Sequence, residues 1–208
     1  MSTTSSQAPL SPAPLSKEEL KRLVSDVIDS RADELVNVAQ TILNNPEPGF
    51  RETKTSRLVS NKFGELGLRS RAGLAMTGVR VDMAGATAGP TLAILGELDS
   101  LIVNEHPCAD SRTGAAHACG HHCQIAMMLG ATMGLMQPDV LNSLSGRLVF
   151  MAVPAEEYIE IEYRDNLRQD GKIEFLGGKP ELVKLGEFDD IDMAMMLHTT
   201  SNPDEKKL

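Results

Sequence analysis

At 208 residues the chain is long enough for one well-packed core or for part of a larger enzyme. It is globular in composition, 41% hydrophobic and 24% charged, with no apolar run of transmembrane length. A net charge of -9 argues against nucleic acid or an anionic membrane as the main partner, because both select a basic face.

Three cysteines, an odd number, with no basic and apolar leader, fit a reducing, cytoplasmic setting rather than a disulfide framework. Met1–Pro14 is rich in Ser, Thr and Pro, so residues 1–15 are expected to be a disordered tail. The terminal Lys206-Lys207-Leu208 echoes a peroxisomal address only loosely.

Ser16-Lys17-Glu18-Glu19 is a capping box, and Leu20, Leu23, Val24, Val27, Ile28, Leu35, Ala39 and Ile42 recur at helical spacing. One helix is therefore predicted from Ser16 to about Asn44, ahead of a turn at Asn45-Pro46-Glu47-Pro48-Gly49. A second runs from about Glu52 to Leu66, with Gly67 as its C-terminal cap. Gly78–Met83 alternates as a half-buried strand, and Gly85–Pro90 reads as a turn. Thr91–Leu95 is a short apolar run of the kind covered on both faces. Ile102–Gly114 reads as a loop and Gln124–Met136 as a Met-rich helix stopped by Pro138. Arg147–Val153 is a second buried strand. Residues 158–189 are polar, with a loop expected over Tyr163–Lys172 and a short helix over Pro180–Leu185. Ile191–Leu197 reads as a strand ending at His198. The pattern implies an α/β sandwich with a largely parallel sheet.

The segment His117-Ala118-Cys119-Gly120-His121-His122 holds three of the five histidines and a thiol. These groups bind borderline-soft divalent cations well, and Gly120 permits a sharp turn between Cys119 and His121. Both are candidate metal ligands; the alternative is an ordinary loop with chance histidines. Three apolar strands also end in acid or imidazole: Glu97 and Asp99, then Glu156 and Glu157, then His198. Sites in open α/β sheets form at the carboxyl ends of strands, although loops are polar there in any case. In Glu156-Glu157 one carboxylate could bind metal while the other takes a proton from water. Asp99 could orient a metal-bound imidazole or cap a turn, and His198 is a ligand or a satisfied histidine. Cys108 and Cys123 are expected to be reduced, buried thiols, and His106 has no assigned role.

Five stretches in order carry a family resemblance. They are Asn45-Pro46-Glu47-Pro48-Gly49-Phe50 with Glu52 and Thr55, Gly96-Glu97-Leu98-Asp99-Ser100-Leu101, His117-Ala118-Cys119-Gly120-His121, Pro154-Ala155-Glu156-Glu157, and His198. Together they resemble the amidohydrolase branch of the aminoacylase and glutamate-carboxypeptidase type metallopeptidases, which includes hippurate, auxin-conjugate and aminobenzoyl-glutamate hydrolases. The resemblance implies a three-layer α/β sandwich holding two divalent metal ions. Cys119 would bridge them, with His121, Glu157 and His198 as further ligands. Glu156 resembles the general base and Asp99 the aspartate that supports a ligand from behind. The implied reaction is hydrolysis of the amide bond of N-acyl or aryl amino acid conjugates or dipeptide-like substrates. Thiolate bridging favours zinc, and the family also uses manganese or cobalt.

Two departures stand out: His122 and Gln124 occupy positions where the family usually has Asp and His. Members of the family are also longer, with a lid and dimerisation domain inserted after the His198 strand and a last histidine ligand beyond it. Residues 16–208 are therefore expected to be the N-terminal part of a catalytic domain, hydrolysing little alone, with homodimerisation a property of the full-length enzyme. Two other readings stand beside this one. The first is a non-catalytic metal- or partner-binding protein on the same fold. The second is a structural zinc site built from Cys119, Cys123 and nearby histidines.

Overall fold

The computed structural model describes residues 15–200 and Asn202. Apart from Leu15, the tail expected over 1–15 lies outside the described residues, as does Lys206-Lys207-Leu208. Helices α1 (Lys17–Ser30), α2 (Ala32–Leu43) and α3 (Thr53–Glu65) precede strands β1 (Arg71–Leu74), β2 (Gly78–Ala84) and β3 (Thr87–Glu97). Two-residue strands β4 (Leu101–Ile102) and β5 (Ala115–Ala116) pair at the base of the expected loop. Then follow α4 (His121–Leu135), α5 (Pro138–Leu141), β6 (Ser145–Val153), α6 (Ile161–Gln169), α7 (Gly178–Lys184) and β7 (Met193–Met196).

The main sheet has the order β1-β2-β6-β3-β7. Strands β6, β3 and β7 are mutually parallel, while β1 and β2 form an antiparallel flank. Parallel pairing brings the C-terminal ends of three adjacent strands to one edge of the sheet, where an α/β site forms. Side chains along β6 alternate strictly. Phe150 and Ala152 join a core with Val38, Ile42, Val59, Phe63 and Leu129 from α2, α3 and α4. Val149, Met151 and Val153 face the other way, toward Leu182 of α7 with Phe188 and Ile191. Both faces are covered, so the chain forms an α/β sandwich of three layers.

Several elements depart from expectation. The helix predicted from 16 to 44 is broken at Arg31, whose φ of -113° leaves the helical region. The break lets each half approach α4 where a glycine makes room: Val24 of α1 lies over Gly134, and Leu35 of α2 over Gly130. The capping box forms as predicted, with the Ser16 amide donating to Glu19 at 2.8 Å. Gly67 closes α3 with a φ of 76°, and the Leu68 amide reaches back to Phe63 O at 2.9 Å, a Schellman closure.

The turn placed at Gly85–Pro90 ends early, because β3 already begins at Thr87. A register shift between Thr87 and Thr91 absorbs Pro90, which has no amide to offer the ladder. The loop expected over Tyr163–Lys172 contains α6 instead, a helix whose buried residues are Arg164 and Leu167. β1 and α5 were not predicted, and the last strand is shorter than Ile191–Leu197. Cys108 is exposed and Cys123 half-buried; all three thiols are free.

Candidate metal centre

The six residues singled out by sequence meet at the shared strand edge. Gly120 makes this possible in two ways. Its φ is 97°, and a Cβ there would fall 2.2 Å from Thr199 Oγ1. The bare backbone lets the Cys119-Gly120 turn pack on His198-Thr199, with the Thr199 hydroxyl donating to Cys119 O at 3.2 Å. Cys119 Sγ consequently lies 3.3 Å from His198 Nε2. His121 opens α4, buried, its ring edge-on to that of His198 at 5.9 Å between centroids.

Both imidazoles are oriented by backbone carbonyls. His121 Nδ1 lies 2.9 Å from Asp99 O, and His198 Nδ1 lies 2.7 Å from Thr199 O. A carbonyl only accepts, so each Nδ1 carries a proton and each Nε2 is turned toward the cluster. His121 Nε2 is 3.0 Å from Glu97 Oε2 and 3.9 Å from a carboxylate oxygen of both Glu156 and Glu157. The buried Oε1 of Glu157 makes no hydrogen bond among the described residues.

Asp99 is fully buried behind His121. One carboxylate oxygen lies 3.4 Å from Nδ1, and the other accepts from the Glu157 amide at 2.9 Å. It thereby ties the imidazole to the loop that carries the acids. That loop is held from further sides. Ala155 adopts a positive φ of 49°, and its amide donates to Glu52 Oε1 at 2.7 Å. The buried guanidinium of Arg164 donates to the carbonyls of Ala155, Glu157 and Leu176. Gly49 stands where a Cβ would meet Arg164 Nη2 at 2.4 Å, so a glycine is needed for the arginine to enter.

The electrostatics are those of a cation-seeking site. Burial pushes the Cys119 thiol up to about 12, helped by the hydrogen bond and charge of Glu157. Burial also disfavours a charged His121, yet the hydrogen bonds of Asp99 and Glu97 prevail and raise it to about 10. Burial would raise Glu97, but His121 and Lys179 bring it down to about 2. Burial and neighbouring Glu97 raise Glu156. A surplus of buried carboxylate is thus offset by a proton on His121 and by the Lys179 ammonium.

The donor set fits divalent cations. Ligand atoms of Cys119, His121 and His198 lie within 4.8 Å of one another, and so do those of Glu97, His121 and Glu156. Thiolate, two Nε2 atoms and carboxylates are what a borderline-soft ion selects. Cys123 is in neither group; it lines the apolar groove between α2 and α4, and a structural zinc site on Cys119 and Cys123 finds no support.

Sequence reasoning had noted Glu97 at its strand end without giving it a role, and it missed Arg164 and Lys179. Both bases lie in the polar stretch 158–189, where charge reads as solvent-facing. The two departures also find places. Gln124 Oε1 accepts from the Glu97 amide at 2.6 Å and fixes that strand end, while the His122 ring lies against His117 at 5.4 Å.

No protein-family model matches the chain. Thermostable carboxypeptidase 2 of Saccharolobus solfataricus is 30% identical over 189 residues, 89% of this chain and 43% of its own length. N-acetyl-L-cysteine deacetylase of Bacillus subtilis is 28% identical over 168 residues, covering 79% of this chain and 36% of its own length. IAA-amino acid hydrolase ILR1-like 6 of Arabidopsis thaliana is 36% identical over 126 residues, 59% and 26% respectively. The chain therefore spans less than half the length of the curated relatives it matches. Among solved structures, the Bacillus subtilis YXEP protein, a dinuclear metal binding peptidase from the M20 family, superposes with a TM-score of 0.68 at 24% identity. That match covers 85% of this chain and 45% of the other. The aminobenzoyl-glutamate utilization protein of Klebsiella pneumoniae gives 0.60 at 17% identity, over 82% and 44%. These structures establish a shared fold. In sequence and in fold, the chain is similar to the amidohydrolase branch of the aminoacylase and glutamate-carboxypeptidase type metallopeptidases, over less than half of their length.

Proposed function

We propose that this protein belongs to a metal-dependent amidohydrolase that cleaves the amide bond of N-acyl or aryl amino acid conjugates. The observation that carries the reading is convergence: Cys119, His121 and His198 present one thiol and two Nε2 atoms to each other, with Glu156 and Glu157 beside them. Relatives named as an N-acetylcysteine deacetylase, an IAA-amino acid hydrolase and an N-acyl-L-amino acid amidohydrolase support the substrate class.

In this reading Cys119, His121, Glu157 and His198 hold two divalent cations, zinc by ligand softness, with manganese or cobalt as alternatives. Bound cations would polarise the scissile carbonyl and make water acidic enough to attack near neutral pH. Glu156 is the general base; it is partly exposed, so water and substrate can reach it, and its raised proton affinity suits a group that takes up a proton. Asp99 orients His121 and holds the Glu157 amide, fixing both relative to the base. Residues 16–208 are the N-terminal part of its catalytic domain. Homodimerisation belongs to the proposal for the longer enzyme, and a cytoplasmic location is supported by three free thiols.

The test is release of free amino acid from N-acetyl amino acids by the zinc- or manganese-loaded chain, at enzyme concentrations high enough to detect slow turnover. We expect chelator-sensitive release that Glu156→Gln lowers by about a hundredfold or more while bound metal is unchanged. Release that survives chelation, or release unaffected by Glu156→Gln, would overturn the proposal.

A further inference from the structure

Lys179 is the second residue of α7, and its position beside the acids is fixed by packing. Gly178 meets the β6 end so closely that a Cβ would lie 1.7 Å from Pro154 O, and its amide donates to Ala155 O at 3.1 Å. The helix start is therefore pressed onto the loop that carries Glu156. From there the Lys179 ammonium donates to Glu97 Oε1 and lies 3.8 Å from Glu156 Oε1. Glu97 is 1% exposed, and its other oxygen faces His121 Nε2 at 3.0 Å. The ammonium thus stands against two of the three side chains, Glu97 and Glu156, that with His121 form a candidate cation group.

We propose that Lys179 is a built-in counter-ion that competes with a divalent cation for Glu97, and so sets the affinity of the second cation in this centre. The inference rests on the metal-centre reading above and deepens it. Without a cation, Glu97 is a buried carboxylate that needs a positive partner, and the ammonium supplies it. A divalent ion arriving beside Glu97 and His121 meets a like charge only a few ångströms away. The ammonium must then retreat. It can do so, because the side chain is 36% exposed and ends a flexible four-carbon stem. The ion at Cys119 and His198 owes little to this exchange, since the hydrogen bond and ion pairs of Lys179 go to Glu97 and Glu156 instead.

Cobalt(II) titrated into the metal-free 208-residue chain separates the two events. Thiolate-to-cobalt absorption reports the ion at Cys119, and calorimetry reports every ion bound. In Lys179→Met we expect an unchanged thiolate step and a second step at least about tenfold tighter than in wild type. Lys179→Arg, which keeps the charge, should retain the weak second step. The double variant Lys179→Met/Glu97→Gln should lose the gain. A second step equally weak in wild type and Lys179→Met would overturn the proposal, as would a gain that persists without the Glu97 carboxylate. Absence of the thiolate step from every variant would instead count against the metal centre itself.

Discussion

Glu52 is fully buried against the loop that carries Glu156, accepting from Thr77 Oγ1 and from the Ala155 amide at 2.7 Å each. Both hydrogen bonds favour its ionised form. Burial outweighs them, and with the charge of Asp99 it raises the group to about 7 from an ordinary 4.5. Arg164, packed nearby, feels Glu52 and Asp99 together as favourable charges, yet burial still lowers its own proton affinity. A carboxyl whose folded-state value is raised contributes stability that is complete below the unfolded value and lost as pH climbs through the folded one. The window is therefore pH 4.5 to about 7, and a shift of this size corresponds to something on the order of 3 kcal/mol. Glu52→Gln removes the ionisation while its amide can still accept from Ala155 and donate to Thr77. Wild type should lose thermal stability relative to Glu52→Gln between pH 5 and 8; parallel unfolding profiles would contradict this account. Glu52 also shows why some site residues were hard to read: its sequence neighbours mark a turn and a helix start, and nothing local reports a partner 103 residues away. Arg164 and Lys179 were hidden in the same way. A charged residue in a charged stretch gives no sign that tertiary packing will draw it to the site.

Elements whose sequence periodicity coincides with their buried face were legible: α3, α4, β2 and β6 each carry their own apolar pattern to the core. The convergence of strand ends was legible for the same reason, since three apolar runs each stop at a polar residue. Where tertiary contacts decide, the pattern failed. β1 exists through its pairing with β2, and α6 buries an arginine where a helix would ordinarily bury an aliphatic residue. β7 is the opposite case, a strand marked by its apolar pattern although all four of its residues are exposed. It pairs with β3 along one side and with no other strand among the described residues, leaving Met193, Met195 and Met196 exposed. Leu197, just beyond it, continues this apolar surface into the groove lined by Ile28, Leu35 and Met127. A flat apolar edge without a charged side chain invites pairing with another chain. The 208-residue chain should therefore self-associate with rising concentration, and Met195→Lys should reduce this in sedimentation or light scattering. The residue is 53% exposed, so folding should be unaffected. Association unchanged by Met195→Lys would place the sticky surface elsewhere.

For the whole molecule, the centre and the fold are one thermodynamic system. The site sits where β3, β6 and β7 end, so its donors come from segments far apart in sequence, Cys119 and His198 being separated by 79 residues. An unfolded chain cannot assemble them, and a cation that binds the assembled set favours the folded state alone. The cation-free centre also carries a cost, since Glu97 and Asp99 are almost wholly buried and rely on His121, Lys179 and backbone amides for compensation. A divalent ion replaces that makeshift balance with direct charge neutralisation. At a free concentration about a hundredfold above its dissociation constant, one ion should add about 2.7 kcal/mol to the unfolding free energy. Calorimetric unfolding should show a Tm that rises with zinc or manganese and falls on chelation. Cys119→Ser should lose most of the rise, whereas Cys123→Ser, in the apolar groove, should keep it. A Tm indifferent to divalent ions, or a rise that depends on Cys123 rather than Cys119, would break the link between the strand-end centre and the fold.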